Sequence, residues 1–98
     1  MTRSDDPAKK YKVVVESDDR KKTIHFGDSN SKDYTKYSAL EREKHKRSYL
    51  ARHKATEDWS DPFTAGFWSR WVLWNLPTVE ASYRDTLRRF NLSPTAQG

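Results

Sequence analysis

Apolar and polar side chains alternate over Lys10–Glu16: Tyr11, Val13 and Val15 share one parity, Lys10, Lys12 and Glu16 the other. A period of two predicts a strand with one buried face. The polar run Ser17–Lys21 predicts a turn. Lys22–Phe26 resumes the alternation through Ile24 and Phe26, and Gly27 closes it. The two runs together predict a β-hairpin. Asp28–Lys36, rich in Asp, Ser and Asn, predicts a loop.

The period then changes. Ser38, with Glu41 three residues on, has the spacing of a capping box and predicts a helix from Ala39 to Lys54. Its apolar positions are sparse: Leu40, Tyr49, Leu50 and Ala51. A helix this polar needs a partner surface or lies mostly in water. Phe63–Asn75 is the most apolar stretch, with Phe67, Trp71 and Trp74 at i, i+4 and i+7, Trp68 and Val72 widening the stripe, and Thr64 placed to cap it. Leu76-Pro77 breaks that helix. Thr78 is placed to cap a last helix with the stripe Val79, Tyr83, Leu87 and Phe90, and Asn91 to end it. The fold predicted is α+β: an N-terminal β-hairpin followed by three α-helices in one small domain over 10–91, the hairpin packed on the tryptophan helix. Residues 1–9 are expected to be a disordered lead-in and 92–98 a flexible tail.

Composition sharpens this. The apolar fraction is 34%, matched by 34% charged residues, a balance that leans toward disorder. Against that, aromatics make up 13% and gather in the second half, where few positions bury much area. The chain has no cysteine, which excludes disulfides and thiolate zinc sites and favours an intracellular setting. No run is long enough to span a membrane, and the N-terminus has no signal-like apolar stretch.

The net charge of +5 is uneven: residues 39–54 hold six Lys/Arg against two Glu, both in the first turn. Arg42, Lys44, Lys46, Arg47, Arg52 and Lys54 are therefore the candidate nucleic-acid-binding residues, neutralising phosphates along the helix. A solvated helix face is the plainer alternative, but such a face usually mixes signs. The tryptophans could stack on bases; their one-sided spacing favours a core, with Arg70 in cation–π contact.

Catalytic and metal chemistry find less support. His45 and His53 are eight residues apart, too far for one metal on a straight helix, and no His-rich ligand spacing occurs. His25 beside Asp28 or Asp33 is the one acid–base candidate, weighed against carboxylates that simply bond turn amides. With only Gly27, Gly66 and Gly98, there is no phosphate loop. Neither a cofactor, a metal nor a small-molecule substrate is expected, and the protein is expected not to be an enzyme.

Several motifs carry a resemblance: His25-Phe26-Gly27, Asp33-Tyr34-Thr35, Tyr49 with Arg52-His53, Trp59, and the long run from Thr64 through Gly66, Trp68, Arg70, Trp71 and Trp74 to Pro77. Together they resemble a family of small uncharacterised proteins encoded by large double-stranded DNA viruses of algae and protists. The chain departs from that pattern at Asn30-Ser31, where a Gly-Tyr pair is expected. The resemblance implies a viral setting, a virus factory or host cytoplasm or nucleus, or the virion interior, and no mechanism. The function expected is a small basic binding protein that contacts nucleic acid. The alternative is a minor capsid or virion protein wedged between larger subunits.

Overall fold

A computed structural model describes residues 1–94. Three antiparallel strands, β1 (Thr2–Arg3), β2 (Lys9–Ser17) and β3 (Arg20–Asp28), form a sheet in the order β1-β2-β3. A 3₁₀ turn (Tyr34–Lys36) leads to α1 (Arg42–His53). Next come α2 (Ala65–Trp68), which runs on as a π-helical turn over Ser69–Leu73, and α3 (Val79–Arg89). The chain is thus a small α+β domain with an N-terminal antiparallel sheet followed by three helices.

The predicted hairpin is present and longer than expected, turning over Asp18-Asp19 alone, since Ser17 pairs with Arg20. Tyr11 faces Phe26 and Val13 faces Ile24, so the predicted parity sets the buried face. Residues 1–9, expected to be disordered, instead contribute β1. Thr2 and Arg3 pair with Lys12 and Tyr11, and polar side chains hold the segment between β1 and β2. The Ser4 hydroxyl meets His25 Nδ1 at 2.7 Å, and the Ser29 hydroxyl donates to the Pro7 carbonyl at 2.8 Å. Residues 95–98 of the expected tail lie outside the described residues. Leu92 bonds back to the Leu87 carbonyl at 2.8 Å, and Asn91 adopts a left-handed φ of 55°, the predicted stop.

Helix α1 begins at Arg42 rather than Ala39. The capping box does not form: Glu41 holds the N-cap position without a side-chain bond, and Ser38 accepts from Arg42 N through its carbonyl. Leu40 is left 96% exposed. The tryptophan segment is helical but not α throughout. A π turn bonds each residue to the fifth along rather than the fourth and so widens the helix; Phe67, Trp68, Val72 and Leu73 are all buried to 2% exposure or less. Trp71 is displaced to a half-buried position.

The core lies between the inner sheet face, the α2–π segment and α3. Phe26 contacts Trp68 with ring centroids 6.3 Å apart, and Phe90 meets Phe67 edge-on at 4.8 Å. On α3 the predicted stripe is only partly buried, and the residues deepest in the protein are Ser82, Asp85 and Thr86. Two of them face backbone of the π turn and the bend after it: Thr86 Oγ donates to the Trp71 carbonyl, and Ser82 Oγ accepts from Leu76 N. Asp85 accepts from the side-chain amide of Asn75. A buried backbone group needs such a partner.

Candidate functional site

The six cations proposed from the sequence divide among three environments. Lys46 is turned inward: its ammonium donates to the Asn75 carbonyl at 3.1 Å and lies 5.0 Å from the Tyr34 ring. Burial, then the nearby Arg70, lowers its pKa. Arg42 lies 5.6 Å from the same Tyr34 ring. Tyr34 in turn donates its hydroxyl to Glu43, which with burial raises the phenol's pKa. Lys44, Arg47 and Lys54 are exposed. None of them, nor Arg52, is ion-paired among the described residues. Arg52 stands apart from the outward three, on the edge of a cleft.

That cleft has a volume of about 530 Å³ and is walled by the end of the sheet, the 31–37 loop, the inner flank of α1 and the start of α2. Its position follows from three local causes. At Gly27, φ is +83° and an added Cβ would lie 2.6 Å from Leu73 Cδ1, so only glycine lets β3 come this close to the π turn. At Asp33, one carboxylate oxygen caps the 3₁₀ turn by accepting from Thr35 N at 2.9 Å, and the other pairs with Lys10 at 2.6 Å. Asp33 and Lys10 thereby tie the loop to the sheet. At Gly66 the Glu57 carboxylate fills the space a Cβ would need, so Glu57 is seated against α2.

A continuous aromatic ladder lines the α1 side. His45 stacks on Tyr37 at 3.8 Å and 6°, Tyr37 leans on Trp74, Trp74 stacks on Tyr49 at 4.5 Å and 8°, and Tyr49 stacks on His53 at 4.3 Å. Burial raises the Tyr49 pKa well above its ordinary value. At the far end His53 Nδ1 bonds Glu57 Oε1 at 2.7 Å, while Trp59 Nε1 donates to the other Glu57 oxygen at 3.1 Å. A carboxylate only accepts, so His53 Nδ1 is the donor in that bond, and Nε2 is the ring nitrogen left to meet a ligand.

The sequence reading missed this pair, because Glu57 lies beyond the end of α1. The spacing of four between His53 and Glu57 is its only signal. The acid–base candidate weighed from the sequence, His25 with Asp28 or Asp33, is not assembled. His25 lies on the outer face of the sheet, bonded to Ser4 and 4.0 Å from Asp5. Asp28 bonds Asn30 N and Ser31 Oγ, which lowers its pKa, and Asp33 is held by Lys10. Arg70 does lie against rings, 4.1 Å from Trp71 and 5.6 Å from Trp59, and donates to the Trp74 carbonyl. Burial and neighbouring Arg89 lower its pKa. Among the described residues no group of three or more His, Cys, Asp or Glu side chains is placed to hold a metal, and no helix is long and apolar enough to cross a membrane.

Fold and site together define a small α+β domain with exposed cations on its outer helix and a cation-rimmed aromatic cleft. Residues 1–53, the sheet through α1, match the model described as a family of unknown function (DUF5754), and the chain belongs to that family. Neither a curated protein nor a solved structure matches it.

Proposed function

We propose that the protein is a non-enzymatic module that binds nucleic acid phosphates through the outward face of α1. The observation that carries this is the exposed set Lys44, Arg47 and Lys54, which has no ion-pair partner among the described residues; Arg52, equally unpaired, faces the cleft instead. Cations without internal partners release counterions when they meet phosphate, at little cost to the fold. Arg42 and Lys46 are withdrawn from the set, because their charges are engaged with Tyr34 and the Asn75 carbonyl. The resemblance to proteins of large DNA viruses supports a setting in a virus factory, the host cytoplasm or nucleus, or the virion interior.

The test is fluorescence anisotropy with duplex DNA, single-stranded DNA and RNA at low salt. Binding that weakens steeply with salt, and disappears in a folded variant carrying Lys44→Glu, Arg47→Glu and Lys54→Glu, is the expected result. No binding to any of the three at about 20 mM salt would end the proposal, since the electrostatic term is strongest there.

A second reading, a minor capsid or virion protein wedged between larger subunits, is favoured by one observation: Leu40 stands 96% exposed at the foot of α1. In that case Leu40→Ser should abolish association with a capsid subunit and leave nucleic-acid binding intact. Co-purification from the native setting separates the two readings.

A further inference from the structure

The geometry points to the cleft as a binding site for an organic phosphate of about nucleotide size, which Arg52, Lys9 and Lys32 hold by charge and His53 by hydrogen bonding. This goes beyond the outer-face reading and stands or falls separately. Four features converge on it. The volume of about 530 Å³ lies within the range of small-ligand pockets, roughly 300–1,000 Å³. Lys9, Lys32 and Arg52 line the cleft without an ion pair among the described residues.

The cleft's carboxylates are already engaged: Asp33 with Lys10, Glu57 with His53, and Asp28 with its own turn. Finally, the two histidines of α1 that line the cleft are ring-stacked, so their orientation is set before a ligand arrives. Histidines aside, four cations face three carboxylates in the cleft. A tetrahedral dianion suits that donor set better than a single carboxylate does, because one planar pair of oxygens cannot reach donors on three walls.

With Nδ1 bonded to Glu57, the His53 ring meets a phosphate oxygen through Nε2, which holds it as an N–H donor. The groups around it are Tyr49, Arg52 and His45 on α1, Glu57 beyond it, and Asp28, Asp33, Lys9, Lys10 and Lys32 across the cleft.

The experiment titrates the ¹⁵N-labelled full chain with adenosine 5′-monophosphate, with adenosine as the phosphate-free control. Sulfate serves as a second dianion that lacks the nucleoside. Saturable shifts at His45, Arg52 and His53 are expected with the nucleotide and with sulfate, and none with adenosine. Arg52→Ala should weaken binding about tenfold or more, the effect of losing one charge-assisted contact. His53→Ala should weaken sulfate and nucleotide alike, by about threefold or more. If that variant does not fold, the ligand-induced shift of the His53 ring resonances in the unaltered protein reports the same contact.

A 5′-phosphorylated oligonucleotide that reproduces the shifts, where its 5′-hydroxyl counterpart does not, supports the site and assigns it to strand ends. Its failure where the mononucleotide succeeds also supports the site and assigns it to free nucleotides. The absence of saturable shifts in the cleft at about 10 mM nucleotide and pH about 6, or binding indifferent to Arg52→Ala, overturns the proposal. Strand binding through the outer face is read separately, at Lys44 and Arg47.

Discussion

Single residues decide how closely the parts of this domain approach one another, and Gly27 does so most directly. Its φ of +83° strains any other side chain, and a Cβ would press on Leu73 and lie 3.3 Å from Lys10 Cβ. Gly27→Ala should therefore cost about 2 kcal/mol or more, read as a lowered urea midpoint with an unchanged slope. Asp85 makes a pH prediction. The bond from Asn75, followed by those from Arg88 and Arg89, holds its carboxyl below the ordinary carboxylate value despite burial. A lowered folded pKa gives stability that is present above the unfolded value, near pH 4, and is lost as the pH falls through the folded value. Acid unfolding should steepen below about pH 4, and Asp85→Asn should flatten that limb. The two arginines are largely exposed, so most of the effect belongs to the Asn75 contact. Neither residue's role was legible in the chain. Gly27 reads only as a strand end, and Asp85 as a solvent residue on a helix.

At the scale of elements, legibility followed the caps. Thr64 accepts from Phe67 N and Thr78 from Ala81 N, as their positions before apolar periods predict. Ser38 had the spacing of a cap but offers only its carbonyl. This gives a paired prediction by thermal or urea unfolding. Thr64→Ala and Thr78→Ala should each cost about 1 kcal/mol, whereas Ser38→Ala should change stability by less than about 0.5 kcal/mol. The strands were readable because one face is buried and the period of two is strict. The π turn was not, because Phe67, Trp71 and Trp74 fit an α period and nothing in the spacing marks a wider turn. Only packing against β3 and α3 chooses between the two. The polar face of α3 was hidden for the same reason: Ser82 and Thr86 are buried because they bond backbone that a regular helix would have satisfied itself.

For the whole molecule the question is where the charge of +5 can act. Along the chain, the six cations of residues 39–54 form one basic segment. Folding divides them, because α1 must turn one flank inward to place Tyr49 against Trp74, and Arg42 and Lys46 lie on that flank. The cleft was equally invisible, since its walls come from four separate stretches of chain that share no motif. The division can be measured. On duplex DNA, log affinity should fall with log salt by about 0.9 per phosphate neutralised. With three cations on the outer face, the slope should not exceed about 2.7 in magnitude. Lys44→Ala should reduce it by about 1, because that ammonium has no other partner in the described structure. Lys46→Ala should lower stability by loosening the contact with the Asn75 carbonyl and leave the slope unchanged. If instead both substitutions reduced the slope equally, the helix would be binding as the uniform basic segment its sequence suggests, and the inward placement of Lys46 would not hold in the complex.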